Sequence, residues 1–287
     1  TSISFGSEAI VSVNAAYGVP DVVYDSGNDK TVVFYTDNGD SQKGKAKVGT
    51  VSGTSISFGT AAEFEGGTTL RISAAYDSSA GKVVVAYSDS GDSDKGKAAV
   101  GTVSGTGISF GTPVVFESGV VGQATTTSYD ASTSKIVIAY EDDDNSDYGT
   151  VIAGAVSGTS ISFETALVIE NSATDDFGSV YDANAERVII FYEDEGDSNK
   201  GKSVVFQAAS TATNLTTENY IGITDQAYTD GQDATIAVVG CIDRNQTSLT
   251  AGQQYFVQKD GTLALTAATP SVVAGTAISA TELVVKE

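Results

Sequence analysis

The chain repeats itself. Phenylalanines ending the phrase "ISF" fall at Phe5, Phe58, Phe110 and Phe163, at intervals of 53, 52 and 53 residues. The tyrosines of "YD" fall at Tyr24, Tyr76, Tyr129 and Tyr181, and a second tyrosine follows each by 11 residues at Tyr35, Tyr87, Tyr140 and Tyr192. Four units of about 52 residues result, starting near residues 1, 54, 106 and 159, and the repeat stops near residue 209. A repeat of this length is one supersecondary unit. It is too small to bury its own apolar face, so neighbouring units must stack.

Each unit predicts four short strands. In the second they are "RISAAYD" (71–77), "KVVVAYSD" (82–89), "KGKAAVGTVSG" (95–105) and "TGISFG" (106–111). Gly, Ser and Asp cluster in the links, as turns require. The second strand ("VVVAY", "IVIAY", "VIIFY") is apolar without alternation, which predicts cover on both faces. In the third, Lys43, Lys45 and Lys47 alternate with Gly44, Ala46 and Val48, which predicts one face toward water. The expected fold is all-β: tandem four-stranded blades of a β-propeller with four repeats visible (residues 1–209), then a small C-terminal β domain (210–287). Phe58 and Tyr87 are expected to pack between blades. The opening strand Thr1–Phe5 is of the fourth-strand type and the last repeat ends on a third-type strand, so the opening strand could complete the last blade. The chain also opens inside a repeated phrase, which predicts residues upstream.

Composition narrows the chemistry. Fifteen Lys and Arg against 37 Asp and Glu give a net charge of −22. Such a surface repels phosphate backbones and anionic lipid, so neither nucleic acid nor membrane insertion is expected. There is no His, Trp or Met and one Cys. A Ser-His-Asp or Cys-His nucleophile and a Cys-rich zinc site are therefore excluded. Cys241, in the apolar run "IAVVGCI", is expected to be a small buried hydrophobe.

The link between the second and third strands is acidic in every unit: "TDNGDSQKG" with Asp37 and Asp40, "SDSGDSDKG" with Asp89, Asp92 and Asp94, "EDDDNSDYG" with Asp142, Asp143, Asp144 and Asp147, and "EDEGDSNKG" with Asp194 and Asp197. Read as turns, Asp and Ser cap the backbone, Gly supplies positive φ and the following Lys offsets the charge. Recurrence in every unit favours scaffold over a single catalytic site. Calcium is the sharper alternative, because carboxylates on a Gly-containing loop supply oxygen ligands. The third loop is densest, with Asp142, Asp144 and Asp147 as metal ligands, and Asp142, Asp143 and Tyr148 as ligand contacts. No other cofactor is expected. The loops resemble degenerate Asp-boxes of sialidase-like propellers: Ser88, Asp89, Gly91 and Ser93 match in part and the terminal Trp is missing. Asp-boxes are structural, and three arginines (Arg71, Arg187, Arg244) are few for a sialidase.

The C-terminal phrases "NYIGITDQAYTDGQDATIAVVG", "LTAGQQYFVQKDGTLAL" and "PSVVAGTAISATELVVK" resemble a β-rich module near the C-termini of tailed-phage fibres and other virion surface proteins, and "GTVSGTSISFGT" is similar to repeats in long phage structural proteins. Cys241 and the "IDRNQ" after it depart from the module's pattern. The resemblance implies a non-enzymatic virion fibre or surface protein, structural and adhesive. Its expected partners are other virion proteins and a host-surface glycan or protein. It also implies an extracellular or virion-surface location and a homo-oligomer, often a trimer in such proteins. A secreted bacterial adhesin or filament component is the alternative. A glycan-processing enzyme ranks below both, because no carboxylate pair is set apart by its context.

Overall fold

The computed structural model describes residues 5–14, 16–208, 222–224, 234–258, 262–267 and 272–286. The chain divides into two compact units, Thr1–Ala208 and Ala209–Glu287.

The first unit is all-β and built from successive antiparallel sheets. The first sheet holds β1 (Ala16–Asp25), β2 (Lys30–Asp37), β3 (Lys43–Ser52) and β4 (Ser55–Phe58). The second runs through β5 (Ala62–Asp77), β6 (Lys82–Asp89), β7 (Lys95–Ser104) and β8 (Gly107–Phe110). The third uses β9 (Val114–Asp130), β10 (Lys135–Asp142), β11 (Tyr148–Ser157) and β12 (Ser160–Phe163). The fourth has β13 (Leu167–Asp182), β14 (Arg187–Asp194) and β15 (Lys200–Phe206). The links are local: the glycines of the "SG" connectors, Gly53, Gly105 and Gly158, take φ of 60°, 61° and 62°, a conformation that only glycine adopts without strain.

The long strands β5, β9 and β13 each serve two sheets. The first half of β5 pairs with β3 (Lys43↔Thr68, Ala46↔Ala62), and its second half pairs with β6 (Ala74↔Val85, Asp77↔Lys82). Hydrogen bonding therefore runs unbroken from β1 to β15, with β4, β8 and β12 as side branches. Sequence patterning finds only the second half of each long strand. The first half carries Phe64-Glu65, Phe116-Glu117 or Ile169-Glu170 and pairs with the preceding sheet.

The core lies between sheets. Val32, Phe34, Ala46 and Val48 of the first sheet meet Val83, Val85, Tyr87 and Ala99 of the second. Val84, Ala86, Ala98 and Val100 of the second meet Ile136, Ile138, Tyr140 and Ile152 of the third. Val137, Ala139 and Val151 of the third meet Val188 and Ile190 of the fourth. Alternate residues of β6 thus enter opposite seams, as the two-residue period of a strand dictates. This is why its sequence is apolar without interruption. Each fully buried Val or Ile contributes about 1.5–3 kcal/mol. Rings close the seams: Phe64 lies 5.2 Å from Tyr87, Phe116 lies 5.2 Å from Tyr140, and Phe110 lies 6.3 Å from Phe34. Tyr87 is an inter-sheet residue, whereas Phe58 is only partly buried, on the outer face of the first sheet, near Gly49. Of the opening strand only Phe5 is described, and it is exposed; residues 1–4 lie outside the described residues.

The second unit contains β16 (Gly222–Thr224), β17 (Ile236–Val238), β18 (Ile242–Asp243), β19 (Gln254–Val257), β20 (Leu263–Ala264), β21 (Val273–Ala277) and β22 (Leu283–Val285). Five of them form one sheet in the order β18-β22-β21-β19-β20, over a core of Leu249, Tyr255, Val272, Ala277, Leu283 and Val285. Cys241 is exposed, not buried. The run "IAVVGCI" is broken by a turn in which Gly240 takes φ +89° and the Cys241 N–H donates to the Val238 carbonyl (2.9 Å). That turn lifts the thiol out of the strand pattern. Among the described residues, no helix is long and apolar enough to cross a membrane.

Candidate functional site

The acidic loops are built by one recipe. The second strand of each sheet ends on an aspartate: Asp37, Asp89, Asp142 or Asp194. Asp37 Oδ1 accepts from Gly39 N (3.0 Å), Asp89 Oδ1 from Gly91 N (2.9 Å) and Asp194 Oδ1 from Asp197 N (3.1 Å). A single 3-10 turn follows at Ser90–Asp92, Asp143–Asn145 and Glu195–Asp197. The sequence reading assigned the positive φ of this loop to its glycine, and the structure corrects that. The left-handed residues are the serine and its successor: Ser41 and Gln42, Ser93 and Asp94, Ser146 and Asp147, Ser198 and Asn199. The loop glycine is needed for space. A Cβ at Gly91 would come 3.3 Å from Gly67 Cα, and one at Gly196 would come 2.5 Å from Ser172 Cβ. In the third loop Asp144 takes the glycine's place, and its carboxylate lies over Gly119.

Three of the four loops are held by a lysine on the third strand. Lys45 Nζ lies 2.9 Å from Asp37 and 2.7 Å from Asp40. Lys97 Nζ lies 2.6 Å from Asp89 and 3.0 Å from Asp92. Lys202 pairs with Asp194 and lies 3.5 Å from Asp197. The ammonium groups pull the carboxyls of Asp37 and Asp194 below the usual carboxylate range. In these loops the carboxylates are engaged in structure.

The third loop lacks this clamp. Thr150 stands where the others have Lys45, Lys97 and Lys202, and Tyr148 where they have Lys43, Lys95 and Lys200. Among the described residues, Asp142, Asp143, Asp144 and Asp147 make no salt bridge. The Glu141, Asp143 and Asp147 carboxylates each place an oxygen within 4.8 Å of the others. Glu141 is buried and accepts from the Gln123 N–H. Burial, opposed by that hydrogen bond and reinforced by Asp143, Asp175 and Asp147, pushes its carboxyl up to about 7. Burial and then Asp147 raise Asp143, while burial and then Glu117 raise Asp142.

Of the residues singled out from sequence, the structure brings Asp143 and Asp147 together and adds Glu141. Asp142 faces the Glu117 side, and Asp144 lies against Gly119. Tyr148 opens β11 opposite Asp142, partly buried. A hard cation such as calcium takes six to eight oxygens. Glu141, Asp143 and Asp147 could supply three carboxylates of such a set.

Sequence reasoning missed a second repeated polar device. Tyr87 Oη donates to Glu65 Oε2 (2.8 Å), Tyr140 to Glu117 (2.9 Å) and Tyr192 to Glu170 (3.1 Å). The signal was present in "FEGG", "FESG" and "IENS", where a glutamate recurs at the same interval.

No protein family matches this chain, and no curated protein is similar to it.

Proposed function

We propose that this chain is a non-enzymatic surface protein, structural and adhesive, whose stacked sheets are propeller-type blades presenting acidic loops to a host-surface glycan or protein. The observation that carries this reading is the contrast among the loops. Three copies consume their carboxylates in lysine clamps, while in the third, among the described residues, Glu141, Asp143 and Asp147 make no salt bridge. Binding residues commonly sit on loops held by a rigid scaffold, and the seams supply that rigidity. The phrases of the C-terminal unit, "LTAGQQYFVQKDGTLAL" above all, support placing the protein on a virion fibre. Repetition of the same hairpin and the lack of His support holding over reacting.

The test is a glycan and host-surface binding array run with calcium and with EDTA, on the wild type and on Asp143→Asn with Asp147→Asn. Binding that the double variant loses supports the third loop as the contact. Loss in EDTA assigns calcium to it. No binding under either condition overturns the reading.

A further inference from the structure

Among the described residues the array makes the same seam three times, and both halves of a fourth carry exposed apolar side chains. In the first seam the back of the first sheet supplies Phe34 and Val48, both 0 % exposed. The repeat places Phe191 and Val205 at those positions on the back of the fourth sheet, where they are 48 % and 63 % exposed. Val180 and Ile189 stand in the same row, since Val180↔Ile189 and Ile189↔Val205 are paired. At the other end, the front of the second sheet buries Ala74 and Val103 at 9 % and 7 %. Their counterparts on the front of the first sheet, Val22 and Val51, are each 59 % exposed. Tyr24, Val33, Ile56 and Phe58 extend that face.

A terminal repeat that faces water ordinarily carries a polar outer side. These faces gain polarity at Lys47 for Ala99, Thr31 for Val83, Ser203 for Ala46 and Glu193 for Thr36, while Val22, Val51, Ile189, Phe191 and Val205 keep them apolar. Neither is covered by the described part of the opening segment. Gly6 sits against Thr54, as Gly59 does against Thr106 and Gly111 against Thr159 at the internal seams, and Asn14 bonds Asp37; Val22 and Val51 stay exposed beside them. Contiguous exposed apolar faces mark interaction sites. The internal seams specify the chemistry of the missing partner, because a back face mates with a front face.

We propose that the occupant is a second copy of this chain, docked head to tail, with the back of the fourth sheet of one copy on the front of the first sheet of the next. The contact continues the repeat across the chain boundary. It is heterologous, so it adds copies in series until a rotation closes it. It goes beyond the adhesive reading and holds whatever the loops bind.

The experiment measures the mass of the full chain in solution from low to high micromolar concentration, for the wild type, Phe191→Asp and Val51→Lys. The wild type is expected to grow in steps of one chain. Each variant alone is expected to weaken association by about tenfold or more. An equal mixture is expected to give a dimer and nothing larger, because each variant keeps one good face. Unchanged far-ultraviolet dichroism and melting show that the variants fold; Val205→Ser and Val22→Ser serve as milder replacements. A wild type of one-chain mass at every concentration overturns the proposal, since the chain then covers its own faces. Association blocked by only one variant, or by neither, also overturns it.

Discussion

Lys97 Nζ lies 2.6 Å from Asp89 Oδ2 and 3.0 Å from Asp92, with the Asp89 carboxylate almost fully buried. The same lysine-to-strand-end geometry recurs at Lys45 and Lys202. A buried carboxylate with a matched cation is stable in place, and removing the cation leaves charge that water cannot reach. Lys97→Ala should therefore cost about 2–4 kcal/mol in urea unfolding. Lys200→Ala, at an exposed pair with Asp197, should leave the midpoint unchanged within error. Equal effects of the two substitutions would show that the clamp contributes nothing beyond a surface ion pair.

The tyrosine–glutamate pairs give a second prediction. Tyr87 is fully buried and donates to Glu65 at 2.8 Å. Tyr87→Phe keeps the ring packing and removes only this bond, so a loss of about 1.5–3 kcal/mol is expected for a hydrogen bond to a carboxylate. Thermal melts of Tyr87→Phe and Tyr140→Phe should show similar losses, and the double variant should show their sum, because the two pairs lie in different seams.

Glu141 makes stability depend on pH in a stated direction. Its folded carboxyl is pushed from 4.5 up to about 7 by burial. Between those values the folded state binds more protons than the unfolded chain, so stability falls as pH rises. The contribution is fully present below 4.5 and lost as pH passes about 7. Its size is on the order of 3 kcal/mol. Glu141→Gln should flatten this part of the profile and leave the variant more stable than wild type at pH near 8. Calcium, if it binds here, should stabilise the wild type most above pH 7, where the carboxylate is free. An unchanged slope in Glu141→Gln would place the pH dependence elsewhere.

Two glycines separate backbone from packing effects. Gly105 takes φ +61° with nothing within 4 Å of its Cβ position, so Gly105→Ala should cost about 1 kcal/mol from the backbone alone. A Cβ on Gly101 would meet Val83 and Ile108 at 2.8 Å and Phe110 at 2.9 Å. Gly101→Ala should cost about 1–3 kcal/mol by overpacking the first seam. Denaturant midpoints of the two variants check the order.

Several features were legible before any coordinates. Four units, their strand order and their turns follow from spacings that neighbours along the chain impose, such as the 11-residue step from Tyr76 to Tyr87 across one hairpin. The unbroken apolar run of β6 declared a strand covered on both sides, and it is. Tyr148 marks the third loop as different, since it replaces Lys43, Lys95 and Lys200, but the lost clamp is at Thr150, which sequence reasoning passed over. The loop's cation candidates were read as Asp142, Asp144 and Asp147, whereas the structure gathers Glu141, Asp143 and Asp147. The choice between the two sets depends on the path of the turn after β10. The 3-10 turn at Asp143–Asn145 and the left-handed Ser146 and Asp147 set how these side chains point, and no local pattern reports it. Cys241 failed for a related reason: one glycine at positive φ converts an apolar run into two strands and a turn.

The amino-acid order alone set the period, the strands, the acidic turns and the need for sheets to hide one another's faces, because each is a matter of residues a few positions apart. Tertiary structure decided which carboxylates meet, which glutamate each buried tyrosine reaches, and that Phe34 is covered while its repeat-mate Phe191 is not. The two phenylalanines sit in the same local context. Among the described residues, the presence or absence of a following sheet distinguishes them, and that is a property of the stack as a whole.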